Sequence, residues 1–263
     1  TTCCIINHSW NSSMFSVGNS EILISVNTTN ITLYRNNFFT SDYGIDFNGV
    51  NNVNLSWNVF RGHSSGAMTS QSISNFYLFG NVFFNEAQSI YTSDANNLIV
   101  LNNTFFDSRP LYHSGIVEGG IISNNYANGT TGSSGISITG NNITIDNNIL
   151  QCCNPALRFI LTNSTASHNL LRNLTGTGLD MDNSLNVIIN NISSINIPYV
   201  IDIASSSNIT LTNITITNAT DDSFWMCNSG ISNSTFLDII IQNTTDSSND
   251  GAICLVGLGN HFS

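Results

Sequence analysis

Apolar and polar residues alternate in short runs along most of this chain, and asparagine punctuates the runs. In "NNVNLSWNVF", Asn51 to Phe60, Val53 and Leu55 share one face of a strand, and Asn58 then stands between apolar neighbours just before Phe60. The spelling returns about every 22 residues, a period within the range that marks stacked repeat architectures. Asn36, Asn58, Asn81, Asn103, Asn124, Asn148, Asn169, Asn191 and Asn213 recur in this way. Most follow an apolar pair at minus five and minus three, as in Ile31/Leu33, Val53/Leu55, Phe76/Leu78, Leu98/Val100 and Ile143/Ile145. Another apolar group comes about two residues later: Phe38, Phe60, Phe83, Phe105, Tyr126, Leu150 or Leu171. Period-two alternation predicts strands, and a turn at the asparagine sends the chain into a fresh one.

A further strand belongs to each unit. It is spelled "GIDFN" at Gly44, "GISIT" at Gly135, "GLDMD" at Gly178, "VIDIA" at Val200 and "GAICL" at Gly251, with alternate side chains apolar. Three short strands per turn make a triangular coil. On these motifs the sequence resembles the right-handed parallel β-helix proteins, the superfamily of pectate lyases, polygalacturonases and surface repeat proteins of the copper-accessory NosD type. The resemblance runs from Glu21 to about Leu255. It implies an all-β, single-domain solenoid of about ten coils. Residues 1–20 would form an N-terminal edge segment, 21–255 the repeat coils and 256–263 a C-terminal tail. One fold hosts many activities, so the resemblance says little about function.

Coils spaced by one strand separation, about 4.8 Å, would stack equivalent asparagines so that their amides bond along the axis. An inward amide without such neighbours would leave groups unsatisfied at roughly 1–3 kcal/mol each. All the recurring asparagines are therefore expected to be rungs of a buried ladder beside a stack of Phe38, Phe60, Phe83 and Phe105.

Charge narrows the partners. The chain has 263 residues, no Lys, five Arg, sixteen acidic residues and a formal charge of -11. Nucleic acid and anionic membrane surfaces would be repelled. No apolar run approaches the roughly 18 residues that cross a bilayer, so no membrane insertion is expected. A start at Thr1 without Met is compatible with a removed signal peptide and a secreted, surface-located product. Roughly sixteen N-x-S/T acceptor motifs fit that compartment. The expected glycan carriers are Asn7, Asn11, Asn27, Asn30, Asn54, Asn102, Asn128, Asn142, Asn163, Asn173, Asn208, Asn218, Asn233 and Asn243. Most rungs lack the motif; Asn191 ("NIS") and Asn213 ("NIT") carry it and so conflict with burial.

Six cysteines point to an oxidising compartment. Cys3–Cys4 and Cys152–Cys153 are adjacent pairs, while Cys227 and Cys254 stand about one coil apart and are candidates for a bridge between coils. The two adjacent pairs lie some six coils apart, too far for a mutual disulfide, so each is expected to bond internally or across subunits, the alternative being buried thiols without a bridge.

One constellation has catalytic character. Arg158, Asp180 and Asp202 follow one another about one coil apart with Asp182 beside them; the expected reading is a charge ladder on a solvated face with Arg158 pairing Asp180, and the alternative is a set that binds Ca²⁺ or serves acid–base glycoside hydrolysis. The polygalacturonase motifs are missing: "TDDS" at Thr220 to Ser223 supplies Asp221 and Asp222, but there is no N-T-D, G-H-G or R-I-K. His8, His63, His113, His168 and His261 show no metal-ligand spacing. Trp57, Trp225 and Tyr77 are expected to face outward, where they can stack on sugar rings or a neighbouring subunit. No cofactor is implied. The apolar, cysteine-bearing "TTCCIINHSW" and the strand-like "GAICLVGLGN" look like joining edges. The reading is a non-enzymatic, N-glycosylated extracellular protein that assembles with copies of itself into a filament. Its alternatives are a polysaccharide lyase or hydrolase and a carbohydrate-binding adhesin.

Overall fold

Inward positions two residues apart, followed by a turn, produce a coil of parallel strands. A computed structural model describes residues 29–129, 134–221 and 230–244 with their side chains. It also describes the backbone of strands Ser9–Asn11, Met14–Ser16, Ser20–Ile24, Phe224–Ser232, Ile253–Leu258 and His261–Phe262. The architecture is an all-β, right-handed parallel β-helix of about nine turns, each of roughly 22 residues. Cys3 and Cys4, and most of the expected N-terminal joining edge, fall outside the described residues.

Three sheets run along the axis. The first holds Tyr43–Asn48, Gly66–Gln71, Ile90–Thr92, Leu111–His113, Thr177–Asp182 and Tyr199–Ala204, together with the N-terminal halves of Ile136–Asp146 and Leu157–Ser167. The second holds Thr29–Tyr34, Asn51–Ser56, Ile73–Phe79, Ala95–Leu101 and Val117–Ser123, and continues through later strands. The third is built from three-residue strands such as Val59–Arg61, Val82–Phe84 and Thr104–Phe106. Side chains alternate across each wall. Val53 and Leu55 are buried while Asn54 between them faces out. Burying a side chain of this size stabilises by roughly 1.5–3 kcal/mol. The core aromatics stack coil on coil: Phe38 on Phe60 at 4.6 Å, Phe60 on Phe83 at 5.0 Å and Phe83 on Phe105 at 4.8 Å.

Buried asparagines form a continuous ladder. Asn36, Asn58, Asn81, Asn103, Asn125, Asn148 and Asn169 donate or accept amide hydrogen bonds of 2.9–3.1 Å from one coil to the next. Each corner has a left-handed residue followed by the inward asparagine. Trp57 at φ 59° precedes Asn58, and Asn102 at φ 55° precedes Asn103. Gly80 fills this place before Asn81, where a Cβ would lie 2.9 Å from the Trp57 ring.

That geometry corrects three expected rungs. Asn124, Asn191 and Asn213 have φ of 56°, 51° and 53°, so they are the left-handed corner residues and their side chains lie on the outside. The inward place belongs to the next residue: Asn125 in one coil, and Ile192 and Ile214 in the others. From Ile192 onward the ladder gives way to an isoleucine stack, and strands Leu185–Ile197 and Ser207–Ala219 run through the corner.

The cysteines also depart from expectation. Cys152 is a left-handed corner residue at φ 59° on the outside, whereas Cys153 is buried with its thiol 3.5 Å from the Gln151 carbonyl. Adjacent thiols thus point to opposite sides of the wall instead of bonding to each other. Backbone register sets Cys254 opposite Trp225, two positions from Cys227, whose side chain is outside the described residues.

Candidate functional site

The first sheet presents an outward row with chemical character, interrupted at Ser137, which is buried. Strand register aligns Asp46, Thr69, Tyr91, Tyr112, Ser137, Arg158, Asp180 and Asp202 along the axis. The structure therefore brings together the acidic set expected from the sequence. Nε of Arg158 lies 3.3 Å from Oδ2 of Asp180, with Arg158 63% and Asp180 32% exposed. Asp182 sits two residues beyond Asp180 on the same strand, hence on the same face.

The two central carboxyls differ in surroundings. Burial raises the pKa of Asp180 above its ordinary value; Arg158 pulls it back and Asp182 pushes it up further, leaving it raised. Burial also raises Asp202, and there the neighbouring Asp180 and Asp182 act in the same direction. Both favour the protonated form more than a solvated aspartate does. Among the described residues, no three Asp, Glu, His or Cys side chains converge closely enough to hold a metal ion, so the set does not form a Ca²⁺ cage by itself.

Further along the row, the sequence reading missed an aromatic platform. Tyr91 and Tyr112 stack at 5.8 Å and 21°, and Arg109 lies over the Tyr112 ring at 4.1 Å. Their signal was the repeated spelling "IYT" and "LYH" at one coil spacing, which alternation alone marks as outward. Trp57 is 52% exposed and Tyr77 half-buried, both on the outside of the wall but away from this sheet.

Two other constellations are better understood as supports. A groove of about 710 Å³ at the corner after the third sheet is lined by His63, Ser64, Asn85, Glu86, Asp107 and Arg109, among others. Nδ1 of His63 lies 2.9 Å from both Glu86 oxygens, but both side chains are fully buried and present no reactive atom to solvent. On the second sheet, Asp146 accepts from Ser167 at 2.7 Å and pairs with Nδ1 of His168 at 2.8 Å. Its pKa is lowered: burial raises it, and the Ser167 and His168 contacts outweigh that. Asn191 occupies Nε2 of His168 at 3.0 Å and Ser167 is turned to the aspartate, so no nucleophile–base pair is formed. Asp221 is half-buried, and Asp222 lies outside the described residues.

The expected glycan carriers occupy corners. Asn30, Asn102, Asn142, Asn163, Asn173, Asn208, Asn218, Asn233 and Asn243 are exposed, and every one has positive φ. Asn54 and Asn128 are half-buried on strands; the side chains of Asn7, Asn11 and Asn27 are outside the described residues.

No protein-family model matches the sequence, and no curated protein sequence matches it. Solved structures do match. The family 28 exopolygalacturonase of Yersinia enterocolitica aligns with a TM-score of 0.52 and 14% identity, covering 82% of this chain and 46% of that one. This chain thus spans about half the length of that enzyme. A variant of the periplasmic alginate epimerase AlgG aligns with a TM-score of 0.55 and 12% identity, covering 91% of this chain and 76% of the epimerase. The expectation of a non-enzymatic chain is corrected by these matches, since both solved structures are named as polysaccharide-active enzymes. At such identities the likeness establishes a shared fold alone, the right-handed parallel β-helix.

Proposed function

We propose that the chain acts on a polysaccharide laid along the outer face of the first sheet, with Asp202 as proton donor and Asp180 as its carboxylate partner. The carrying observation is that these two aspartates stand opposite each other on adjacent strands in unlike surroundings. Arg158 offsets part of the burial at Asp180, whereas at Asp202 burial, Asp180 and Asp182 all favour the protonated form. The difference that divides acid and base roles is the Arg158 guanidinium 3.3 Å from Asp180, which favours the charged form of that carboxyl. The protonated one donates to the departing glycosidic oxygen; the ionised one attacks the anomeric carbon or takes a proton from water. The names of the exopolygalacturonase and the alginate epimerase support a polysaccharide as the substrate class.

The test is release of reducing ends from a panel of plant, algal and bacterial polysaccharides by the parent chain, Asp180→Asn and Asp202→Asn. Loss of a general acid lowers the rate by about a hundredfold or more, and that loss in Asp202→Asn is the expected result. Turnover indifferent to both substitutions removes the pair from the mechanism. Tight binding without turnover identifies a carbohydrate-binding adhesin instead.

A further inference from the structure

We infer that Trp57 is a sugar-stacking site at the corner between the second and third sheets, holding a polysaccharide apart from the carboxyl pair. This rests on the polysaccharide reading above for the ligand's class, and adds a non-catalytic contact on a different wall.

The corner row marks the place. Left-handed residues occupy it in coil after coil: Arg35, Trp57, Gly80, Asn102, Asn124 and Asn147, with φ between 53° and 64°. Asparagine and glycine take this conformation readily, and a bulky side chain does not. At Trp57 burial does little to offset the strain, since the residue is 52% exposed. Residues held in such strained conformations concentrate at ligand clamps.

The indole is seated as well as exposed. A Cβ built on Gly80 would lie 2.9–3.0 Å from three contiguous atoms of the six-membered ring, Cε3, Cδ2 and Cζ3. A point so nearly equidistant from all three stands over the ring's face, because off the edge the outer two would lie well beyond the middle one. The indole therefore lies flat across the next coil, and Gly80 beneath it is buried where Asn102, Asn124 and Asn147 of the same row are exposed. Among the described residues its ring neighbour is Phe79, nearly perpendicular at 84°, so no ring stacks parallel on the indole's outer face. A rigid indole held flat with one face open offers broad apolar area at little entropic cost, which suits the C–H face of a pyranose.

The preceding corner residue narrows the ligand further. Arg35 is exposed, and its backbone N–H bonds the Ser56 carbonyl beside Trp57 at 3.1 Å. Its guanidinium, 5.0 Å from the Tyr34 ring centre, supplies N–H donors for sugar oxygens. The same charge repels the cationic groups that otherwise favour an indole face.

The experiment measures binding and intrinsic tryptophan fluorescence of the full chain, with xyloglucan, galactomannan, polygalacturonate and alginate as probes. The parent is expected to bind at least one of them with a shift in emission. Trp57→Asn places the row's usual residue at φ 59°, so it should melt no lower than the parent. It should nevertheless bind at least about tenfold more weakly. The emission shift should vanish with it, although Trp10 and Trp225 remain. Gly80→Asn keeps the indole but removes its seat, and should weaken binding several-fold. Asp180→Asn/Asp202→Asn should keep the emission shift, because that pair stands on another wall. Binding that ignores Trp57→Asn overturns the inference and leaves the polysaccharide reading intact. A parent chain that binds none of the four overturns it too, and the reducing-end assay then decides separately whether the Asp180–Asp202 pair has any polysaccharide substrate. An emission shift with a proline-rich peptide and with no polymer overturns it in favour of a protein partner.

Discussion

Oδ1 of Asn103 accepts two hydrogen bonds from Asn81 in the preceding coil, one from Nδ2 at 3.0 Å and one from the backbone N–H at 2.9 Å. Nδ2 of Asn81 also donates to the Leu55 carbonyl, at 2.8 Å, one coil further back. Each rung thereby ties three coils together. Its amide is satisfied on both sides, so the core can hold a polar row without the cost of unpaired groups.

Asn81→Leu is therefore expected to be severe. It would remove the Nδ2 donor from the Leu55 carbonyl and from the Asn103 oxygen, and the acceptor of the Asn58 backbone N–H at 2.9 Å and of Asn58 Nδ2 at 3.0 Å, all in a dry core. A loss of about 2–4 kcal/mol in urea unfolding is the expected size. The matched control is Asn97→Gly, on the outside at φ 57°, which glycine tolerates and which should cost no more than about 1 kcal/mol. An Asn81→Leu chain as stable as its parent would mean that the ladder contributes nothing net.

The acidic row makes a pH-dependent prediction. The carboxyl of Asp202 has its folded pKa raised above 3.8. A group raised in the folded state contributes stability at pH below its unfolded value, and that contribution is lost as pH rises through the folded pKa. At neutral pH ionised Asp202 thus works against folding. Asp202→Asn should be more stable than the parent there, and the difference should vanish in acid below about pH 4. Melting curves of both chains across that range test the sign. A variant less stable at neutral pH would show that Asp202 is favoured in its charged form.

Much of this wall was legible because alternation fixes which side of a strand a residue faces. Val53, Leu55 and Phe60 are inward as their spacing implies, and so is the ladder from Asn36 to Asn103. The register failed where two asparagines stand together. In "SNNY" either Asn124 or Asn125 can follow the strand, and only the backbone decides which takes the left-handed corner and which turns in. At Asn191 and Asn213 the corner asparagine survives while the inward amide has become Ile192 and Ile214, so the letter recurs without the role. The acidic set was readable because Arg158, Asp180 and Asp202 share one strand position in successive coils. Tyr91 and Tyr112 share the same row, but their kinship with it depends on counting register through strands of only three residues.

His113 offers a separate pH test. It is buried, bonded through Nδ1 to Thr92 Oγ1, and its Nε2 has no hydrogen-bond partner. Burial lowers its pKa from 6.5 to about 4, against opposing contributions from Asp94 and nearby backbone groups. The unfolded chain takes up a proton at this residue below pH 6.5 and the folded chain does so only near pH 4, so stability should fall as pH drops through that window. The slope from one such group is at most about 1.4 kcal/mol per pH unit. His113→Gln should flatten the profile between those values, whatever its effect on absolute stability. An unchanged slope would assign the pH dependence to other groups.

The acceptor motifs carry the last prediction, because the corner itself writes them. A left-handed corner favours asparagine, the next residue turns inward, and the one after that faces out, where Thr or Ser is common. Asn142–Ile143–Thr144 and Asn208–Ile209–Thr210 follow this order, with Ile143 and Ile209 buried. N-x-T is thus a by-product of coil geometry as well as a glycosylation motif, and variants at one corner separate the two roles. Asn163 has φ 48° and donates to Asn141 at 3.2 Å across an exposed corner. Asn163→Gly deletes the motif while keeping the backbone, and Thr165→Val deletes it while keeping the asparagine. Each should stay within about 1 kcal/mol of the parent. Asn163→Ala keeps a Cβ in the left-handed region without the polar side chain that offsets its strain and bonds Asn141 and Asn186, and should cost roughly 1–2 kcal/mol. Unfolding measured on chain from a glycosylating host, beside intact mass, distinguishes the cases. If Thr165→Val were as damaging as Asn163→Ala, and the mass showed a sugar lost with it, the attached glycan and not the corner would be what stabilises this turn.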